Sequence, residues 1–286
     1  MTLRKLTPIL MAALTLGLTA GAAVAADKAQ VLKDGAAKME ALVSSSEGEA
    51  LARAICPMKE AGLAYQPSLM VPREGVMACK NPEQLRMLYG MYFIDANLAL
   101  VFGKKAEFVE IEQILRKDLL DKLKMTGKLK VTRLSPDELK KIADDPGNPA
   151  NREVFVKIVF GNFRAWSAQA ATDPEVMDLM ADSVYGAAIQ GIYVACKQAQ
   201  AAGAGEKLVN LFNAQAKRLG KADQIVEAYA GDKELAALVE KDQRQKTLKP
   251  ILALLKEKKG NLSETDVKQI LALVEPERAE LVKVCQ

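Results

Sequence analysis

Apolar residues recur every three or four positions along almost the whole chain, and no stretch of useful length alternates with the two-residue period of a strand. Phe108, Ile111, Leu115, Leu119 and Leu123 form the clearest run, and Val31, Ala36, Met39, Leu42 and Val43 a rougher one. A chain patterned in this way buries its apolar surface by packing helices on one another. The expected fold is therefore all-α, an irregular multi-helix bundle or helical array.

Local signals mark where the helices begin and end. Asn81-Pro82, Ser135-Pro136-Asp137-Glu138 and Asp173-Pro174-Glu175 each place a capping side chain before a proline that fits the first turn. They predict helices over about 82–102, from 136 to before Pro146, and from 174 to about 201. The first of these is apolar almost all round and should be central. A long amphipathic helix is expected over 104–125, after the break at Gly103, and another over 150–171. Ser46 can cap a helix running to about Glu60. Further helices are expected at 206–219, 221–230, 232–258, 263–274 and 276–285, with Pro250 kinking or splitting the longest. Pro67 and Pro72 make 62–81 an extended loop, and Leu129 to Leu134 reads as a brief extended piece with nothing obvious to pair with. Asp145 to Pro149 is the clearest internal linker. Residues 26–286 form a single helical domain whose two halves would meet near 145–150.

The first 25 residues stand apart. Arg4 and Lys5 precede an apolar run, and Ala23-Val24-Ala25 then supplies the small-residue pattern of a signal peptidase site. Cleavage is expected after Ala25, with Val24-Ala25-Ala26 fitting almost as well. Loss of Arg4 and Lys5 lowers the net charge from +4 to +2, too little to argue for nucleic acid. Beyond the signal, the nearest approach to a membrane span is Leu85 to Phe102, which Arg86, Asp95 and Asn97 interrupt. A soluble exported chain, in the periplasm, is the expectation. In such an oxidising compartment four cysteines read as disulfide staples. The preferred pairing is Cys56–Cys79 and Cys196–Cys285, the first closing the proline-containing loop and the second tying down the carboxyl tail.

Composition narrows the chemistry further. The chain has no histidine, which excludes a histidine-based triad, an imidazole acid–base pair and histidine-dependent zinc sites. It carries no phosphate loop, dinucleotide fingerprint, nucleophile elbow or zinc-protease motif. Asp173, Glu175, Asp178 and Asp182 are an acidic beginning to a helix, favoured by the helix dipole, without the spacing of a calcium loop. No metal or cofactor is expected, and an enzyme would need an unfamiliar carboxylate, lysine or tyrosine site. Lys241 to Lys259 is basic and reads as a solvated helix face, with an anionic surface or acidic partner as the alternative.

The polar residue that most needs an explanation is Asp95, in the apolar helix over 82–102. A carboxylate there must find a partner, reach water or line a cavity. Arg164, beside Asn162 in the 150–171 helix, is the attractive partner, and the first reading is a buried Asp–Arg or Asp–Tyr contact that fixes helix register. Tyr89, Tyr92, Phe93, Trp166, Tyr185 and Tyr193 lie in the same group of core helices. Together with Asp95, Asn162 and Arg164 they define a candidate aromatic–polar pocket for a small amphipathic ligand. The competing reading is ordinary core packing. Gly90, Gly161, Gly186 and Gly191 either permit close helix crossings or leave room for a ligand. Tyr89-Gly90-Met91-Tyr92 is faintly echoed by Tyr185-Gly186-Ala187-Ala188.

The Tyr89-Gly90-x-Tyr92-x-x-Asp95 pattern, with the later Gly186 to Tyr193 region, resembles a group of uncharacterised exported helical proteins and lipoproteins of bacteria. The likeness covers mainly two central helices and brings no active-site residue with it. The chain lacks the lipobox cysteine of the lipoprotein members. The resemblance implies an exported helical domain. The function expected is that of a periplasmic binding or accessory protein acting on a small amphipathic ligand or an envelope protein. A structural or assembly role through a helix surface is the alternative, and a non-histidine hydrolase stands third.

Overall fold

A computed structural model of the chain describes residues 29–37, 40–41, 58, 62–132, 134–145, 148–203, 208–228 and 241–283. The expected signal peptide, Cys56, Cys285 and, residue 58 apart, the helix expected from Ser46 to about Glu60 lie outside the described residues. Among the described residues every regular element is helical, so the all-α expectation holds. A 3₁₀ turn (Pro67–Leu69) and the short α1 (Glu74–Ala78) lead into α2 (Pro82–Val101). α3 (Lys105–Gln113) continues through a π-helical stretch (Ile114–Leu119) into a last α turn (Leu120–Lys122). Then come α4 (Pro136–Asp144), α5 (Pro149–Ala170), α6 (Pro174–Ala202), α7 (Val209–Ala228), α8 (Lys241–Glu257) and α9 (Glu264–Lys283).

The caps do what their chemistry demands. The Asn81 side chain accepts from the amides of Glu83 and Gln84, and Asp173 from those of Glu175 and Val176. Ser135 and Glu138 close a reciprocal capping box. Two expected breaks are absent. α7 runs through Gly220, and α9 through Pro276; likewise Pro250 lies inside α8 without splitting it. Both prolines are exposed, while Leu248, Ile251, Val274 and Leu281 on the other face are buried. The packed face holds each helix together, and the missing amide bond falls on the solvent side.

α6 is the hub. It packs along α2 and also touches α5, α7 and α9. By length and composition α6, rather than Leu85–Phe102, is the described helix that could cross a bilayer, yet most of it is buried inside the bundle. Cys196 sits in it as a free, fully buried thiol, whose ionisation burial strongly opposes. The expected Cys196–Cys285 bond is not formed. The core around α6 closes over this position, so the thiol acts as a small apolar side chain. Cys79 is buried just beyond α1, and its expected partner lies outside the described residues.

The contact between α2 and α6 is made backbone to backbone. A Cβ placed on Gly90 would lie 1.8 Å from the carbonyl oxygen of Ser183, and one on Gly186 would lie 2.0 Å from that of Met87. The two contacts are reciprocal, since each glycine meets the residue three positions before the other. The Tyr-Gly echo in the sequence is thus the crossing point itself. One turn before the glycines Arg86 pairs with Asp182, Nε to Oδ2 2.6 Å. About one turn after them Gln190 donates to Asp95, 2.7 Å. Both pairings advance together along the two helices, which therefore run in the same direction.

Gly161, by contrast, has open space where a Cβ would go. Gly90→Ala should cost upward of about 2 kcal/mol, because the obstruction is backbone and no side chain can swing away. Gly161→Ala should gain about 0.5–1 kcal/mol from helix propensity alone. Urea denaturation of the two variants beside the parent measures both, and equal effects would refute the crossing.

Candidate functional site

The residues singled out by sequence separate into three places. Tyr92, Asp95 and Tyr193 belong to a buried polar cluster that grips the chain's own loop. Asp95 is fully buried. Its Oδ2 accepts from the Val71 amide at 2.7 Å, and its Oδ1 from Gln190. Gln190 also donates to the Leu69 carbonyl, and its own oxygen accepts from Arg278 Nε at 2.8 Å. Arg278 donates to the carbonyls of Leu69 and Met70 while lying 4.2 Å from the centre of the Tyr193 ring. The Tyr92 hydroxyl donates to the Pro72 carbonyl, 2.8 Å. Four successive residues, Leu69 to Pro72, thus have a backbone group bound by a side chain of α2, α6 or α9. An extended segment cannot satisfy its own backbone, and these side chains do it instead.

Arg164 is not the partner of Asp95. It is exposed on α5, because the face of α5 turned to the core carries Phe163, Trp166 and Ala170, and position 164 lies about 100° round from Phe163. The glutamine that replaces it, Gln190, stood out in an apolar stretch of α6 just as Asp95 does in α2. Arg278 had no comparable signal, since it sits among the charged residues of α9.

Tyr185 takes part in a second buried network. Arg244, only 1 % exposed, pairs with Asp182 at 2.8 Å and with Glu83 at 2.7 Å, its guanidinium 5.0 Å from the Tyr185 ring centre. The Tyr185 hydroxyl donates to Glu277 at 2.8 Å. Asp182 therefore belongs to no acidic surface; it is fully buried between Arg86 and Arg244. The opposite charges offset the desolvation of each, and removing one partner from such a set typically costs about 3–5 kcal/mol. This network fastens α8 to α2 and α6.

Tyr89, Asn162 and Trp166 are brought together, at a cleft of about 60 Å³ between α2, the end of α3 and α5. Its floor is aromatic. Tyr89 and Trp166 have ring centres 6.0 Å apart, Phe93 and Phe163 5.9 Å, and Phe163 and Trp166 5.7 Å. Two charged side chains line it, Glu112 and Arg116, which pair across one turn with Nε to Oε2 at 2.5 Å. The π stretch starts two residues after Glu112 and supplies Leu115 and Arg116 to the lining. Such stretches are frequent at functional sites. Burial raises the Glu112 carboxyl above its ordinary value, against the lowering effect of Arg116. Burial and then the Glu112 charge push the Tyr89 hydroxyl up.

One wall of the cleft is the extended piece that had no visible partner in the sequence. Its partners are side chains. Thr132 exchanges two hydrogen bonds with Asn162, N–H to Oδ1 2.6 Å and Nδ2 to O 2.9 Å. Trp166 Nε1 donates to the Lys130 carbonyl at 3.0 Å. Gln169 accepts from the Lys130 amide and donates to the Lys128 carbonyl. Residues 162, 166 and 169 share one helix face. Alternate residues of an extended chain advance about 6.6 Å, close to the 6 Å or so of four helical residues, so the two periods match over this length. Glu112 and Arg116 were absent from the sequence reading, although their i,i+4 spacing on an amphipathic helix was a visible signal.

No protein-family model matches the chain, and no curated protein or solved structure matches it either.

Burial pushes the Asp95 carboxyl from 3.8 up to about 7, opposed by its hydrogen bonds to Val71 and Gln190 and by the charges of Arg278 and Arg73. The neutral acid is thus the form the fold prefers. That contribution to stability is fully present below the unfolded value near 4, is lost as pH rises to about 7, and is constant above. Asp95→Asn removes the titration. Denaturation midpoints at pH 4 and 7.5 should therefore show the variant gaining on the parent as pH rises. A difference that stays constant with pH would mean that Asp95 titrates normally.

Proposed function

We propose that this is a periplasmic helical binding protein whose aromatic cleft takes a small amphipathic ligand. The observation that carries the reading is the convergence of four aromatic rings on a cleft lined by a desolvated carboxylate and its arginine. An apolar floor with a few oriented polar groups is the usual make-up of a small-molecule site. The volume, about 60 Å³, accommodates a head group or short chain rather than a whole drug-sized molecule, for which several hundred Å³ is usual. The polar residues around Asp95 have a different duty, since the chain's own backbone occupies them.

A role at a helix surface remains the second reading, favoured by one observation. Lys246, Lys249 and Lys256 are exposed along α8, and Lys259 follows in the turn, an arrangement suited to an acidic envelope partner.

Native mass spectrometry of the protein purified from its own cells, followed by denaturing release, tests the cleft. The expected result is a small-molecule adduct that Phe163→Ala loses while its helical circular dichroism is retained. An adduct-free protein whose tryptophan fluorescence ignores a panel of amphiphiles would overturn the proposal.

A further inference from the structure

We propose that the head group this cleft selects is an organic ammonium, held among the aromatic rings and against the Glu112 carboxylate. The inference rests on the binding reading above and adds the sign of the ligand's charge.

Most of the polar capacity around the cleft is already engaged. The Trp166 N–H is donated to Lys130, and the Asn162 amide is bonded on both sides to Thr132. The Glu112 carboxylate differs. Glu112 Oε2 lies 2.5 Å from Arg116 Nε yet is buried without a well-aligned hydrogen bond. Glu112 is the deeper of the two charged side chains, 14 % exposed against 30 % for Arg116. Its charge is felt at Tyr89 more strongly than that of Arg116.

Each of these features favours a cation. Aromatic faces carry the negative side of the ring quadrupole and attract ammonium groups within about 6 Å of the ring centre, more so where water is excluded. A largely buried carboxylate paired with a single arginine is stabilised by a second positive charge. An anion would meet the more buried carboxylate, with only the more exposed arginine to attract it. The cleft volume of about 60 Å³ suits a compact head group, the ligand's apolar remainder lying toward the mouth.

The chain has one tryptophan, and it lies in this cleft, so its emission reports occupancy without a label. The probes are benzyltrimethylammonium, its uncharged carbon isostere neopentylbenzene, and phenylacetate, titrated into the full chain and checked by calorimetry. The expected result is saturable binding of the ammonium at least tenfold tighter than of either comparator, with Glu112→Gln weakening the ammonium about tenfold and leaving the neutral compound unchanged. Equal affinity for the ammonium and its neutral isostere would overturn the charge assignment and leave the binding reading standing. Phenylacetate binding best would do the same and transfer the role to Arg116. No saturable response to any probe would overturn both. The comparison of isosteres on the parent protein needs no variant, so the outcome does not depend on whether Glu112→Gln folds.

Discussion

Two glycines let two helix backbones touch, and much of the molecule is arranged around that contact. With a Cβ at Gly90 or Gly186 the opposing carbonyl would lie at 1.8 or 2.0 Å, far inside any van der Waals separation, so α2 and α6 could not lie together as they do. Close approach has a second consequence. It brings polar side chains one turn to either side within hydrogen-bonding range, so that Arg86 meets Asp182 and Gln190 meets Asp95. The apolar crossing is thus bracketed by two polar clamps that specify its register. A helix pair held by leucines alone has many near-equivalent registers; one carrying buried partners on both sides has few.

From that pair the rest is positioned by buried polar side chains, several of which recognise backbone. Asp95, Gln190, Arg278 and Tyr92 bind the segment Leu69–Pro72, and Asn162, Trp166 and Gln169 bind residues 128–132. Each extended segment lies against helices in a protein with no described strand, so its amides and carbonyls have no ladder to join. Side chains at helical spacing supply the missing partners. The aromatic cleft follows from the second of these arrangements, since α5 and the segment it holds form two of its walls, with α2 and the π-helical end of α3 as the others.

How much of this could be read in advance depends on the range over which each signal acts. Helix starts are local, decided by whether one side chain can reach amides two or three residues on, and Asn81, Ser135 and Asp173 were legible for that reason. Helix continuity was less so. Pro250 and Pro276 look like breaks until it is known that they face solvent while Ile251 and Val274 are buried on the packed side. For the candidate site, Tyr89, Asn162 and Trp166 were visible as aromatic and polar residues in core helices. Glu112 and Arg116 were not distinguished from the many other charged pairs on amphipathic helices. Only their position against Tyr89 and Phe163 sets them apart.

By itself the sequence determined the class of fold, the places where most helices begin, and the fact that Asp95 must have a special environment. Those follow from periodicity, capping geometry and the cost of an unpaired buried carboxylate, all of which act over one or two helical turns. Tertiary structure alone decided that Asp95 answers to Gln190 rather than Arg164 and that Cys196 is a buried free thiol. It also decided that the Tyr-Gly echo is a crossing and that the extended piece at 128–132 is held by a helix. Each depends on which faces meet across dozens of residues, and the relative rotation of two packed helices is decided jointly by every side chain between them.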